Sequence, residues 1–169
     1  MSSWAEIIVG CFKQYNIRYL NYVPDAIGER ILQVVRDDPD FEILPLAREE
    51  EGVGVVCGQS IGGARGALLM PTSGLGNSIN ALASLPIPYR IPVPMVIGYR
   101  GALGEFNPTQ VQMGQAAPAV LTALNIPHFI LDREDEVQMV VDGALKLTYG
   151  LDSPVAILVS TQLSGWKKG

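Results

Sequence analysis

The chain has 169 residues, enough for one domain with a sizeable core and too few for two ordinary ones. A composition that is 48% hydrophobic and only 17% charged, with 18 Gly and 12 Pro, excludes a disordered polyelectrolyte and fits buried elements joined by tight turns. The net charge of −5 leaves no electrostatic footprint for a phosphate backbone, the one basic cluster being Lys167-Lys168, so nucleic acid is excluded as a partner.

In chain order, residues 2–15 read as a helix capped by Ser2 or Ser3. Glu6 and Lys13 interrupt its apolar residues, and without a basic leader or a cleavage site it is not a signal peptide. A strand, IRYLNYV, follows at 17–23, and Pro24-Asp25 opens a second helix, AIGERILQVVRDD. FEILPL at 41–46 is a short strand. A glutamate-led helix from Arg48 runs into the strand GALLMP at 66–71, then a loop, TSGLGN, and a short helix through Leu85. The proline-punctuated link PIPYRIP precedes the strand VPMVIGY, and a long loop plus helix covers 101–124. PHFIL, the helix EDEVQMVVDGALKLTYG and the strand PVAILVS complete a single domain over 1–163, with a short tail at 164–169.

Six strand-like runs alternate with helices, and several are continuously apolar, as strands buried on both faces must be. The expected fold is a doubly wound α/β domain with a mostly parallel six-stranded sheet and helices on both faces. Ligands of such sheets bind at the carboxyl ends of the strands. Cys11 and Cys57 lie in apolar helical patterns and read as buried free thiols, which favours a reducing, cytoplasmic setting. No apolar run reaches the ~20 residues of a membrane span. A single histidine, His128, and no cysteine pair at ligand spacing argue against a metal site built by this chain, and His128 at a strand start reads as structural.

Three strand-end segments carry candidate chemistry. In REEEGVGVVCG, Glu49 shares a helix face with Val53, Val56, Cys57 and Ser60, which aims it inward. Acids in a first helical turn also complement the helix dipole, and Glu50 and Glu51 fit that role. In TSGLGN, Gly74 and Gly76 allow close approach of a ligand to backbone amides, flanked by Thr72, Ser73 and Asn77. The alternative is a plain tight turn, since the full dinucleotide glycine pattern and a Walker lysine are absent. In GYRGALGEFNPTQVQMGQ, Arg100 at a strand end is placed either to hold an anionic group bidentately or to make a surface ion pair. Asp25, beside Pro24, is a further strand-end acid or simply a helix cap.

As an ordered set, REEEGVGVVCG, GALLMPTSGLGNSINALASL and VPMVIGYRG resemble the pyrimidine-binding module of thiamine-diphosphate-dependent 2-oxoacid decarboxylases. The likeness is nearest to sulfopyruvate decarboxylase alpha subunits and phosphonopyruvate decarboxylases, and it spans roughly 23–159. Glu49 stands nine residues before Gly58, as the family's glutamate does. The resemblance implies that Glu49 hydrogen-bonds a ring nitrogen of the cofactor's aminopyrimidine and favours its imino tautomer. It also implies cofactor contacts at Pro24, Asp25, Thr72, Ser73, Gly74, Gly76 and Asn77, and substrate contacts at Arg100, Tyr99, Gln110 and Gln112. Relatives hold the diphosphate and Mg2+ with a Gly-Asp-Gly segment that this chain lacks. The resemblance therefore implies a separate diphosphate-binding beta subunit, a hetero-oligomer, an anionic 2-oxoacid substrate and no activity in the isolated chain. The proton delivered after CO2 loss falls to Gln110, Gln112, the partner or water. The function implied is decarboxylation of 3-sulfopyruvate to sulfoacetaldehyde. The alternatives are phosphonopyruvate or another 2-oxoacid, or a non-catalytic module of the same fold.

Overall fold

The computed structural model describes residues 3–165; Ser2, Lys167 and Lys168 lie outside them, as does most of the expected tail. β1 (Tyr19–Tyr22), β2 (Glu42–Pro45), β3 (Gly66–Pro71), β4 (Val93–Tyr99), β5 (His128–Leu131) and β6 (Pro154–Ser160) form one sheet. Their order is β2-β1-β3-β4-β6-β5, and every neighbouring pair is parallel. The expected doubly wound α/β class is thus observed, with a wholly parallel sheet.

The period of two along the central strands divides the core. Ala67 and Leu69 of β3, Val96 of β4 and Ile157 of β6 meet α1 (Trp4–Gln14), α2 (Gly28–Val35) and α7 (Val137–Leu151). Leu68, Met70, Met95, Ile97 and Leu158 point the other way, toward α3 (Glu49–Ile61), α4 (Thr72–Ser84) and α6 (Pro108–Ala123). Register enforces the division, because Leu68 pairs with Met95 and Leu69 with Val96, so like faces align across the strands. Two short helices, α5 (Pro86–Tyr89) and α8 (Thr161–Ser164), complete the chain order. Between β1, β3 and α3, Asn21 is fully buried and exchanges side-chain amide hydrogen bonds with Gln59 at 2.9 and 3.0 Å. With a further bond from Nδ2 to the Ala67 carbonyl at 3.2 Å, both polar atoms of the buried amide are satisfied.

Ser3 caps α1 through a reciprocal box with Glu6. Cys11 and Cys57 are free and buried, and burial pushes the Cys57 thiol up to about 11. Nδ1 of His128 lies 3.0 Å from the Ile126 carbonyl oxygen at the head of β5. No helix among the described residues is long and apolar enough to cross a membrane.

One local expectation is corrected. TSGLGN is not a loop: Pro71 is the N-cap and α4 begins at Thr72, so Gly74 and Gly76 lie inside the helix. Glycine signals misled here because neither residue serves a turn. A Cβ on Gly74 would overlap the Glu49 side chain, and one on Gly76 would stand 3.1 Å from the Met113 sulfur. Close packing of α4 on α3 and α6, not backbone conformation, calls for the small residue at both positions.

The direction of winding locates the functional end. From β1 the chain crosses to β2 on one side and returns to β3 on the other, so the connections after β1 and β3 diverge at the carboxyl ends of the strands.

Candidate functional site

Glu49 opens α3, directly after an extended Arg48. It is only 8% exposed. Its Oε2 accepts a hydrogen bond from Nδ2 of Asn77 at 3.1 Å, and its stem lies against Gly74 on α4. Oε1 has no hydrogen-bond partner among the described residues. The neighbouring acids do other work at the helix start: Glu50 pairs with Arg48 at 3.1 Å, and Glu51 accepts from the Ala47 amide at 2.9 Å. Val53, Val56 and Cys57 are buried on the face that carries Glu49, with Ser60 half-buried at its end. A carboxylate half fastened and half free, at the rim of an apolar core, is placed to exchange a proton or a hydrogen bond with a ligand.

Thr72, first residue of α4, is fully buried, and its hydroxyl has no hydrogen-bond partner. The side-chain carbonyl oxygen of Gln110 on α6 is likewise buried and unpartnered. A buried polar atom left unpaired costs about 1–3 kcal/mol, so both atoms call for a further group. Ser73 and Gly76 are half-buried and Asn77 is exposed beyond its bond to Glu49.

A second cluster forms over the ends of β1 and β4. Oδ2 of Asp25 accepts from the Ile27 amide at 3.1 Å, and the carboxylate occupies the space a Cβ on Gly98 would need. Asp25 thus caps the turn leading into α2, its carbonyl also accepting from the Glu29 amide at 2.9 Å, while its carboxylate reaches across the sheet to Gly98 near the end of β4. Pro24 beside it is exposed.

Arg100, directly after β4, is 8% exposed, and its ion pair is a buried one rather than one at the surface. Its Nε and Nη2 both donate to Glu105, at 2.6 and 2.7 Å. The Gly101 and Asn107 amides donate to the same carboxylate at 3.2 and 3.0 Å. The Arg100 guanidinium, helped by these amides, holds the Glu105 carboxyl down at about 2. The same bond to Glu105 raises Arg100, with a smaller contribution from Asp25. Tyr99 and Gln110 are half-buried close by in the fold, whereas Gln112 is exposed on α6.

The structure therefore brings Glu49, Gly74 and Asn77 together, and groups Asp25 with Gly98 and Arg100. Sequence reasoning missed Glu105, Gly98 and Met113. An Arg followed five residues later by Glu, with a glycine beside each, was the available sign of the Glu105 clasp. Replacing Gly74 with Ala tests the first cluster. The methyl displaces the Glu49 stem while adding helix propensity, so we expect little change in unfolding temperature and roughly a hundredfold loss in ligand-dependent turnover. Unchanged turnover would show that the contact does not position Glu49.

A wholly parallel sheet with a half-free, buried carboxylate beside its strand ends is a doubly wound α/β module of the kind that binds ligands at that end. Among the described residues no three His, Cys, Asp or Glu side chains cluster as a metal site.

No protein-family model matches the chain. It is 38% identical over 155 residues to the sulfopyruvate decarboxylase subunit alpha of Methanococcus maripaludis, covering 92% of this chain and 93% of that one. The chain belongs to the family of sulfopyruvate decarboxylase alpha subunits. It is 30% identical over 134 residues to the sulfopyruvate decarboxylase of Methanosarcina acetivorans, and 35% identical over 117 residues to the phosphonopyruvate decarboxylase of Streptomyces viridochromogenes. Those matches cover 34% and 30% of the two longer proteins. Among solved structures, 2-oxoglutarate:ferredoxin oxidoreductase from Magnetococcus marinus superposes with a TM-score of 0.72 at 11% identity, over 96% of this chain and 29% of that one. That last likeness is one of fold.

Proposed function

We propose that the chain is the alpha subunit of a two-subunit, thiamine-diphosphate-dependent decarboxylase that converts 3-sulfopyruvate to sulfoacetaldehyde and CO2. The observation that carries this reading is the Glu49 carboxylate, buried at the strand ends with Oε2 held by Asn77 and Oε1 free. The 38% identity to a sulfopyruvate decarboxylase alpha subunit supports the substrate.

The residues present fit the pyrimidine half of the cofactor. The free Oε1 of Glu49 matches a ring nitrogen, while the Thr72 hydroxyl is fully buried at the start of α4. When bound, thiamine diphosphate supplies the electron sink that a 2-oxoacid needs to lose CO2. Glu49 holds and returns a proton at the ring nitrogen, and Asn77 fixes the carboxylate orientation for that exchange. Gly74 admits the Glu49 stem, while Ser73, Gly76, Pro24 and Asp25 line the rim. Since the chain has no Gly-Asp-Gly segment, the diphosphate and Mg2+ belong to the beta subunit in this reading. At the substrate end, Arg100 retains only Nη1 without a hydrogen bond among the described residues. Nη1, Tyr99, Gln110 and Gln112 are the groups this chain offers to the anionic head. Two buried free thiols support a reducing, cytoplasmic setting in this reading.

Phosphonopyruvate is the second reading, favoured by the relative that bears that name at 35% identity. The deciding experiment measures CO2 release by this chain with its beta subunit, thiamine diphosphate and Mg2+, on sulfopyruvate and phosphonopyruvate side by side. Preferential release from sulfopyruvate is expected. Preference for phosphonopyruvate would overturn the substrate assignment. No release from either, with cofactor bound, would point to another 2-oxoacid or to a non-catalytic module.

A further inference from the structure

The connection 100–107 between β4 and α6 is built with unusual firmness on its inner side and left apolar on its outer side. Inside, the Glu105 carboxylate takes hydrogen bonds from Arg100 Nε and Nη2 and from the Gly101 and Asn107 amides, closing residues 100–107 on themselves. Gly101 and Gly104 adopt φ of +81° and +80°, the left-handed conformation that side chains disfavour. The connection is also pinned to α6. A Cβ on Gly114 would coincide with the Arg100 carbonyl oxygen, and one on Gly101 would press on the carbonyls of Gln110 and Val111. Outside, Leu103 is 71% exposed and Phe106 is 59% exposed.

We propose that Leu103 and Phe106, held by the Arg100–Glu105 clasp, form a docking surface for the diphosphate-binding beta subunit. The inference rests on the two-subunit reading and adds to it the surface that this chain contributes. Two observations select that occupant. The segment lies at the carboxyl end of central β4, the end of the sheet where Glu49 leaves Oε1 unpartnered for a ligand this chain does not enclose. Relatives of matching length are alpha subunits, whereas in the Methanosarcina relative the same module is 34% of one long chain. A surface covered by the remainder of such a chain stands open when the module is a separate subunit. A backbone already fixed by the clasp spares the cost of ordering the loop on docking, so that only the side chains of Leu103 and Phe106 remain to be ordered.

The test measures the affinity of the full chain for the separately purified beta subunit, by sedimentation and calorimetry, with thiamine diphosphate and Mg2+ present. The double variant Leu103→Asp with Phe106→Asp should weaken association by about thirtyfold or more while leaving circular dichroism and unfolding temperature unchanged. Ile61→Asp, at a 75% exposed residue ending α3, should bind as wild type does. Wild-type affinity in the double variant would overturn the proposal, as would loss of self-association with beta binding intact, which would make this a contact between copies. Were the wild-type chain itself not to bind the beta subunit, the two-subunit reading would fall, and the docking surface with it. Unaltered binding by the double variant in an active complex would sink the surface alone.

Discussion

Glu49→Gln should leave the fold intact and remove most of the decarboxylation, by roughly a hundredfold to ten-thousandfold in kcat. The amide is nearly isosteric, and its oxygen can still accept the Asn77 hydrogen bond, so the contact with Gly74 and the start of α3 persist. What is lost is the capacity to hold and return a proton at the position now occupied by Oε1. Unfolding temperature should therefore match wild type, and cofactor binding should weaken far less than turnover. Steady-state kinetics of the reconstituted complex, with cofactor binding measured separately, checks this. A variant that keeps wild-type kcat would refute the proton-holding role and leave Glu49 as a dipole-complementing acid.

Arg100→Met should be the most destabilising single change near the site, by about 3 kcal/mol, because it strands a buried carboxylate with only two amide donors. Urea unfolding of the isolated chain measures this directly. Acid gives a second reading of the same pair. Glu105 titrates at about 2 in the folded chain against 4.5 for the free side chain. A carboxyl lowered by folding contributes stability above its unfolded value, and that contribution is lost as pH falls from about 4.5 toward 2. In Glu105→Gln this part of the acid dependence disappears, so stability should fall less steeply with pH than in wild type. Other carboxylates act in both proteins and cancel in the comparison. Parallel acid limbs for the two proteins would mean that the clasp does not hold Glu105 ionised.

The clasp changes what Arg100 means. A guanidinium at a strand end, seen as letters, is equally a hook for an anion or half of an ion pair, since nothing local distinguishes them. The Glu105 carboxylate takes Nε and Nη2, leaving only Nη1 for any anion, and it returns only after a turn made through Gly101 and Gly104. The glycines of α4 make a similar point. Gly74 and Gly76 read as turn residues because glycine is the commonest turn signal, yet they are small to admit Glu49 and Met113 from other helices.

Much of the architecture was legible before any coordinates, for a simple reason. Continuous apolar strands separated by amphipathic helices have few ways to bury both sheet faces, so alternation alone implied the parallel α/β domain and its active end. Glu49 was legible too, because a helical period links it to Val53, Val56 and Cys57, all buried. These are properties of residues within one element, which a linear pattern carries. The Asn77 bond to Glu49, the reach of Asp25 to Gly98, the closure of Glu105 on Arg100 and the unpartnered Thr72 hydroxyl join residues from different elements or depend on which neighbours fail to arrive. Periodicity carries no information about such meetings. They follow from sheet order and helix packing, which bring distant segments within bonding distance only once the chain has folded.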